Sequence, residues 1–256
     1  MGFDSYHWRE YSLPDPQLAE HRARLASGRG GPDDFLALLH GGDPVAVGVA
    51  FDQYKEEEAL TRFGGSHPYG EHGDAVRDMA RQVLAQPPHP AEEEDADDAG
   101  LNHASALLVL AHLATGDDSD RIADILRSRP SSAVMGAVGR AAACALMESS
   151  DLNDNLVDAL SEVLLDEARG MRERLGAFSY VKGERVAGVL ARAAHTADEK
   201  VQAEAVVILA THHLTTHGNV VEEVTASWSH QPSRLQARIL RDLDARCHRS
   251  VGDRGA

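Results

Sequence analysis

Apolar residues return along this chain at a helical spacing, and the spaced blocks themselves recur. The stretch Asp198-Glu-Lys-Val-Gln-Ala-Glu-Ala-Val-Val-Ile-Leu-Ala210 sets the frame. A turn residue comes first, then an apolar residue, then small or apolar residues at four-residue intervals. The frame reappears in Asp43 to Ala50, Leu101 to Ser105, Val134 to Val138, Met171 to Leu175 and Leu235 to Ile239. Positions 46, 101, 134, 171, 201 and 235 thus mark six first helices, with steps of 55, 33, 37, 30 and 34 residues. Second amphipathic segments alternate with them: Asp33 to His40, Asp74 to Ala85, Ser119 to Ser128, Asn153 to Ala168, Glu184 to Ala194 and Asn219 to Ser229. In each, apolar residues recur at three and four positions, as at Leu156, Leu160, Val163 and Leu164. Asp117, Asp118, Ser119, Ser150 and Asp151 offer N-cap oxygens. Pro130 and Pro232 fall between helices, and Gly170, Gly183 and Gly218 near junctions. No run of alternating β-branched residues argues for a sheet.

A self-similar unit of this length predicts an all-α fold of stacked helix pairs. The pattern resembles the HEAT-repeat (armadillo-like) family of α-solenoids. Asp198 to Ala210 and Asp43 to Ala50 carry the resemblance, with the turn Asp, the apolar residue three positions on and the small residue four later. Pro44 matches the proline that often follows that Asp, and Val76-Arg77 matches the family's Val-Arg pair, though within a second helix. The resemblance covers about residues 32–245. It implies a right-handed α-α superhelix of about six helical pairs, and a surface that usually binds proteins and sometimes nucleic acids. Residues 1–31 are expected to form an N-terminal aromatic arm and first helix, residues 32–245 the solenoid, and residues 246–256 a polar C-terminal tail.

Two departures from the repeat matter for function. The step of 55 residues implies insertions at 63–74 and 86–99. The first breaks helix with Gly and Pro yet keeps Phe63 and Tyr69. The second is Pro-rich, then purely acidic, and is expected to be a mobile loop. Aromatic residues are the other asymmetry, since nine of twelve occur by residue 69. Phe3, Tyr6, Trp8 and Tyr11 lie in the first thirteen residues, without a helical pattern. Trp8 and Tyr11 are expected to fold back as a cap over the apolar face of the terminal helix pair.

Charge narrows the partners. Forty-one Asp and Glu against 25 Lys and Arg give a formal net charge of -16. That balance makes nucleic acid an unlikely partner and argues against anionic membranes, and it favours a protein with a basic surface. Cys144 reads as a small core residue and Cys247 as part of the polar tail; two distant cysteines form no disulfide framework. Neither a signal peptide nor a run of the ~20 apolar residues needed to span a bilayer is visible, so a cytoplasmic protein is expected. No cofactor is implied.

Candidate sites emerge from these features. Tyr54, Phe63, His67, Tyr69 and His72 make the first insertion the richest local chemistry, with Tyr69, His67 and Tyr54 expected to stay partly exposed as partner anchors. The plainer reading is a loop anchored by Phe63 and Tyr69, with Asp74 capping the next helix. Acidic residues on second helices, Asp124, Asp158, Glu162 and Glu222 among them, are candidates for an acidic concave face. The alternative is a solvated charged face that keeps the protein soluble. His213 and His217 share a helix face at the spacing of two zinc ligands, but lack the zincin Glu between them. No catalytic motif emerges. The leading expectation is a non-enzymatic protein-binding scaffold or regulator, a toxin-neutralising role included. The alternatives are an enzyme of lyase or nucleic-acid repair type with its site in the aromatic-rich first repeats, and a DNA-mimic inhibitor.

Overall fold

The structure, a computed structural model, describes residues 8, 11–61, 64–88, 100–128, 130–148, 154–170, 174, 178, 184–196, 198–228 and 230–252. Among these residues the fold is all-α, with no strand. The helices are α1 (Pro16–Ala26), α2 (Pro32–Leu39), α3 (Pro44–Thr61), α4 (Gly73–Leu84), α5 (Leu101–Leu113), α6 (Ser119–Arg127), α7 (Ser132–Glu148), α8 (Asp154–Leu165), α9 (Glu184–Thr196), α10 (Glu199–His212), α11 (Leu214–Trp228) and α12 (Arg234–Gly252). Five of the six second segments begin within one residue of their expected start; α11 begins five residues early, across a kink at His217. The marker at Met171 to Leu175 lies outside the described residues except for Arg174, as do Phe3, Tyr6, Phe63, residues 89–99 and the side chain of Cys247.

Local chemistry starts the helices. Asp15 accepts from Gln17 N and Leu18 N before α1. Asp43 accepts from Val45 N and Ala46 N before α3. Asp198 accepts from Lys200 N and Val201 N before α10. Each satisfies backbone donors that have no intrahelical partner. Pro16, Pro32 and Pro44 occupy first helical positions, where the missing N–H costs nothing.

The chain divides into two compact units, residues 1–153 and 154–256. In the first, α5 is the centre. From Leu101 to Leu110 every residue except Asn102 is buried, and α5 packs against α3, α4 and α7. The first helices α3, α5 and α7 thus adjoin in series, with α4 against α5 and α6 against α7. Small residues allow the α5–α7 approach: Ala104 and Ala106 on one helix, Ala137, Ala141 and Ala145 on the other, are all buried. Trp8 is fully buried here. Its indole lies over Gly48 of α3, and its Nε1 donates to Ser105 Oγ of α5 at 2.7 Å. Trp8 therefore reaches α5 and does more than cover a terminal pair. Cys144 is half-buried, with Sγ 3.5 Å from the Ala114 carbonyl.

In the second unit, α9 packs against α8, α10 and α11, and α12 lies on α10 and α11. Trp228 anchors α11, donating from Nε1 to Gln202 Oε1 of α10 at 3.1 Å. Arg174 is 4% exposed. It donates to the Leu164 carbonyl and, at 2.6 Å, to Asp198. Burial acts to raise the Asp198 carboxyl, but the Arg174 hydrogen bond and charge and the Val201 and Lys200 amides outweigh it, so its pKa falls below the usual value. Asp198 thus caps α10 and neutralises a buried cation together.

Two outcomes test this packing. A Cβ at Gly48 would sit 2.4 Å from the Trp8 ring, so Gly48→Ala should displace the indole and cost about 1–3 kcal/mol. In a Trp228→Phe background, Trp8 emission should shift to the red; an unshifted spectrum would mean the ring does not pack on α3. Asp198→Ala should destabilise by about 2–4 kcal/mol, combining a lost cap with an unpaired buried arginine. A denaturant midpoint within error of wild type would exclude that double role.

Candidate functional site

The first insertion closes on itself. After Thr61, whose hydroxyl donates to the Glu58 carbonyl, the described chain resumes at Gly64 in the left-handed region, φ 94°. His67 organises the loop from there to α4. Its Nδ1 accepts from the Tyr69 backbone N–H at 3.0 Å, which leaves Nε2 to donate to the Tyr54 carbonyl at 3.1 Å. The imidazole lies 4.3 Å from the Tyr54 ring, centroid to centroid. Tyr69 stacks on Phe35 of α2 at 4.3 Å and 10°. His72 lies on the same ring at 6.3 Å and 22°. A turn of 3-10 helix, Gly70–His72, then runs directly into α4.

This arrangement corrects two expectations. Tyr54 and Tyr69 are only 4% and 5% exposed, and the His67 side chain 9%. They do not stand out as partly exposed anchors, because ring stacking on Phe35 and the two histidine hydrogen bonds hold them inward. Burial raises the Tyr54 phenol above its ordinary pKa, reinforced by Glu58. Burial does the same to Tyr69, with Glu57 and Asp34 adding to it. Nor does Asp74 cap α4. The helix begins at Gly73, so Asp74 lies in its first turn and pairs with Arg77 at 2.6 Å. Phe63 lies outside the described residues.

Outside the rings the loop presents carboxylates. Glu58 Oε2 is 3.8 Å from His67 Nε2, and Glu71 Oε1 is 3.5 Å from His72 Nε2. Glu56, Glu71, Asp74 and Asp78 are exposed. Residues 1–153 hold 26 Asp and Glu against 12 Lys and Arg, whereas residues 154–256 hold 15 against 13. The acidity therefore belongs to the first unit. The inner carboxylates of that unit are matched. Asp34 accepts from His21, Arg24 and the Gly31 amide, which hold its pKa down to about 2. Asp118 receives a two-pronged contact from Arg81, at 2.7 and 3.1 Å. Nothing in the local sequence signalled these pairs, since their partners lie up to 37 residues away.

The remaining acidic candidates are exposed. Asp124 lies on α6 of the first unit. Asp158 and Glu162 share one face of α8, and Glu222 lies on α11 of the second unit. His213 and His217 are brought close, with rings 6.4 Å apart at 80°. His213 ends α10, its N–H donating to the Leu209 carbonyl and its carbonyl accepting from His217 N. It is 4% exposed, and its Nε2 has no hydrogen-bond partner among the described residues. His217 Nε2 lies 2.8 Å from Glu184 Oε1. Among the described residues, no group of three or more His, Cys, Asp or Glu is arranged to hold a metal. No helix among them is long and apolar enough to cross a membrane.

Comparison of the chain with protein-family models, curated proteins and solved structures gives no match.

Two predictions arise from these sites. Tyr69→Ala should destabilise by about 3 kcal/mol, because a ring stacked in the interior is removed; an unchanged melting temperature would contradict the closed cluster. His213 gives a pH test. Burial lowers its pKa below 6.5; Glu184 opposes this, and His217 and His212 add to it. Stability from neutral His213 is thus complete above pH 6.5 and erodes as pH falls below it. Between about pH 7.5 and about pH 5, wild type should lose more stability than His213→Leu. Parallel losses would show that His213 carries no such linkage.

Proposed function

We propose that the chain is a non-enzymatic binding module for a protein with a basic surface. The observation that carries this reading is the partition of charge. The excess of carboxylates falls in residues 1–153, and exposed ones surround a loop whose rings are closed inward. Such a rim attracts a cationic surface and speeds its encounter. It repels nucleic acid, whose binding needs clustered Lys and Arg. A HEAT-like solenoid is the scaffold we propose for it. Supporting this is the adjacency of alternate helices, α3–α5–α7 in one unit, and α9–α11 and α10–α12 in the other, which is what stacked helix pairs produce. Regulatory, scaffolding and toxin-neutralising roles all fit the same module.

Two charge-reversal sets test the reading after crosslinking capture of a partner from the native host. One is Glu71→Lys with Asp74→Lys and Asp78→Lys; the other is Asp158→Lys with Glu162→Lys and Glu222→Lys. Affinity should fall with added salt and fall about tenfold or more in the first set. Binding indifferent to salt and to both sets would overturn it, as would a partner captured only through nucleic acid.

A further inference from the structure

A cavity of about 290 Å³ opens between α3 and α4, and the pattern of its lining is unusual. On α3 the lining positions are Pro44, Val47, Gly48 and Phe51; on α4 and its extension they are Met79, Gln82, Val83 and Gln86. Both sets follow i, i+3, i+4, i+7, the spacing of a helix face that packs on a neighbour. Here the two faces look into the same space and leave it unfilled. Each helix packs instead on α5. Their far ends are fixed separately. Tyr54 of α3 meets Gly73 of α4 at one end, its hydroxyl 3.3 Å from where a Gly73 Cβ would lie. At the other, the Gln86 carbonyl accepts from His103 Nε2 at 2.9 Å, and the Pro87 carbonyl accepts from Asn102 Nδ2 at 3.3 Å.

The chemistry of the lining is selective. Val47, Phe51 and Val83 are buried and give an apolar floor. Gln82 and Gln86 supply carboxamides, Asn102 is already held by the Pro87 carbonyl, and His40 is the one titratable group among the described lining residues. Among the described residues that line it there is no Asp, Glu, Lys or Arg, although this unit holds the excess of carboxylates. A charged ligand would lose water and gain no counter-charge from these described residues. An uncharged ring suits the floor, and carboxamides both donate and accept at its edge. The volume is at the small end for ligand pockets.

We propose that this cavity is a binding site for a small, uncharged, planar molecule with hydrogen-bonding groups on its edge, of the size of a single or fused aromatic ring. The site is independent of the acidic rim and does not rest on the partner-binding reading.

Ligand-observed NMR on the full chain tests it with four probes: neutral indole and benzamide, anionic benzoate and cationic benzylamine. Indole and benzamide should bind saturably, compete with each other, and bind at least about tenfold more tightly than the charged pair. Met79→Trp and Gln82→Trp, at half-buried and exposed positions, should fill the space and abolish binding while the helical circular dichroism persists. Absence of saturable binding by the neutral probes would overturn the proposal. So would equal affinity for the charged probes, or undiminished binding in both folded variants. If a variant unfolds, the neutral-against-charged comparison on wild type decides alone.

Discussion

A helix with no polar face cannot choose which side to bury. From Leu101 to Leu110, α5 buries every residue but one, so the first unit has to cover it all round. Helices α3, α4 and α7 do so, and the two polar side chains caught inside, His103 and Ser105, must find partners there. Ser105 accepts from Trp8 Nε1, and His103 donates to the Gln86 carbonyl. Those two bonds explain why the arm is drawn in at Trp8 and why the chain leaving α4 is held against the start of α5. One apolar helix thus determines the placement of a terminal aromatic and of a helix end on either side of it.

The same constraint accounts for the gap between α3 and α4. Helices that satisfy their apolar stripes on a common third helix need not meet each other. Val76, Ala80, Val83 and Leu84 of α4 are all buried, yet Met79, Gln82 and Gln86 on the adjoining face remain half-buried or exposed. Gly48 completes the geometry on α3, because a bare backbone there lets the Trp8 ring approach. The cavity is therefore a consequence of how α5 is covered.

What could be read from the sequence divides along the range of the interactions. Helix positions are set by neighbours a few residues away, so periodicity reveals them. The turn residues Asp43 and Asp198 prove to be caps. Asp118, expected to cap α6, turns to Thr115 and Arg81 instead, and Ser150 and Asp151 lie outside the described residues. The direction in which rings point is set by distant partners. Tyr69 stacks on Phe35, and Trp8 bonds Ser105 across 97 positions. An aromatic-rich loop looks alike in sequence whether its rings close on one another or face outward, and here they close. The paired neutral residues around the cavity were hidden for a related reason: a stripe that faces a gap has the same spacing as one that faces a helix.

Electrostatics in the first unit follow from scarcity of cations. Arg24 and Arg81 are committed to the enclosed carboxylates Asp34 and Asp118, and Lys55 lies 3.9 Å from the buried Asp52. A buried carboxylate left unpaired would cost several kcal/mol, so these pairings come first. Arg77 then joins Asp74. With 12 basic residues against 26 acidic ones in this unit, inward pairing necessarily leaves the outer carboxylates in excess. Part of that excess, Glu56, Glu71, Asp74 and Asp78, is exposed on the helices and loop beside the aromatic cluster. The cluster gives it a rigid base, because its rings are stacked and His67 is bonded at both nitrogens. Carboxylates carried on so braced a backbone would lose little backbone entropy if a complementary cationic surface bound, as proposed. Their mutual repulsion would be relieved in the same step.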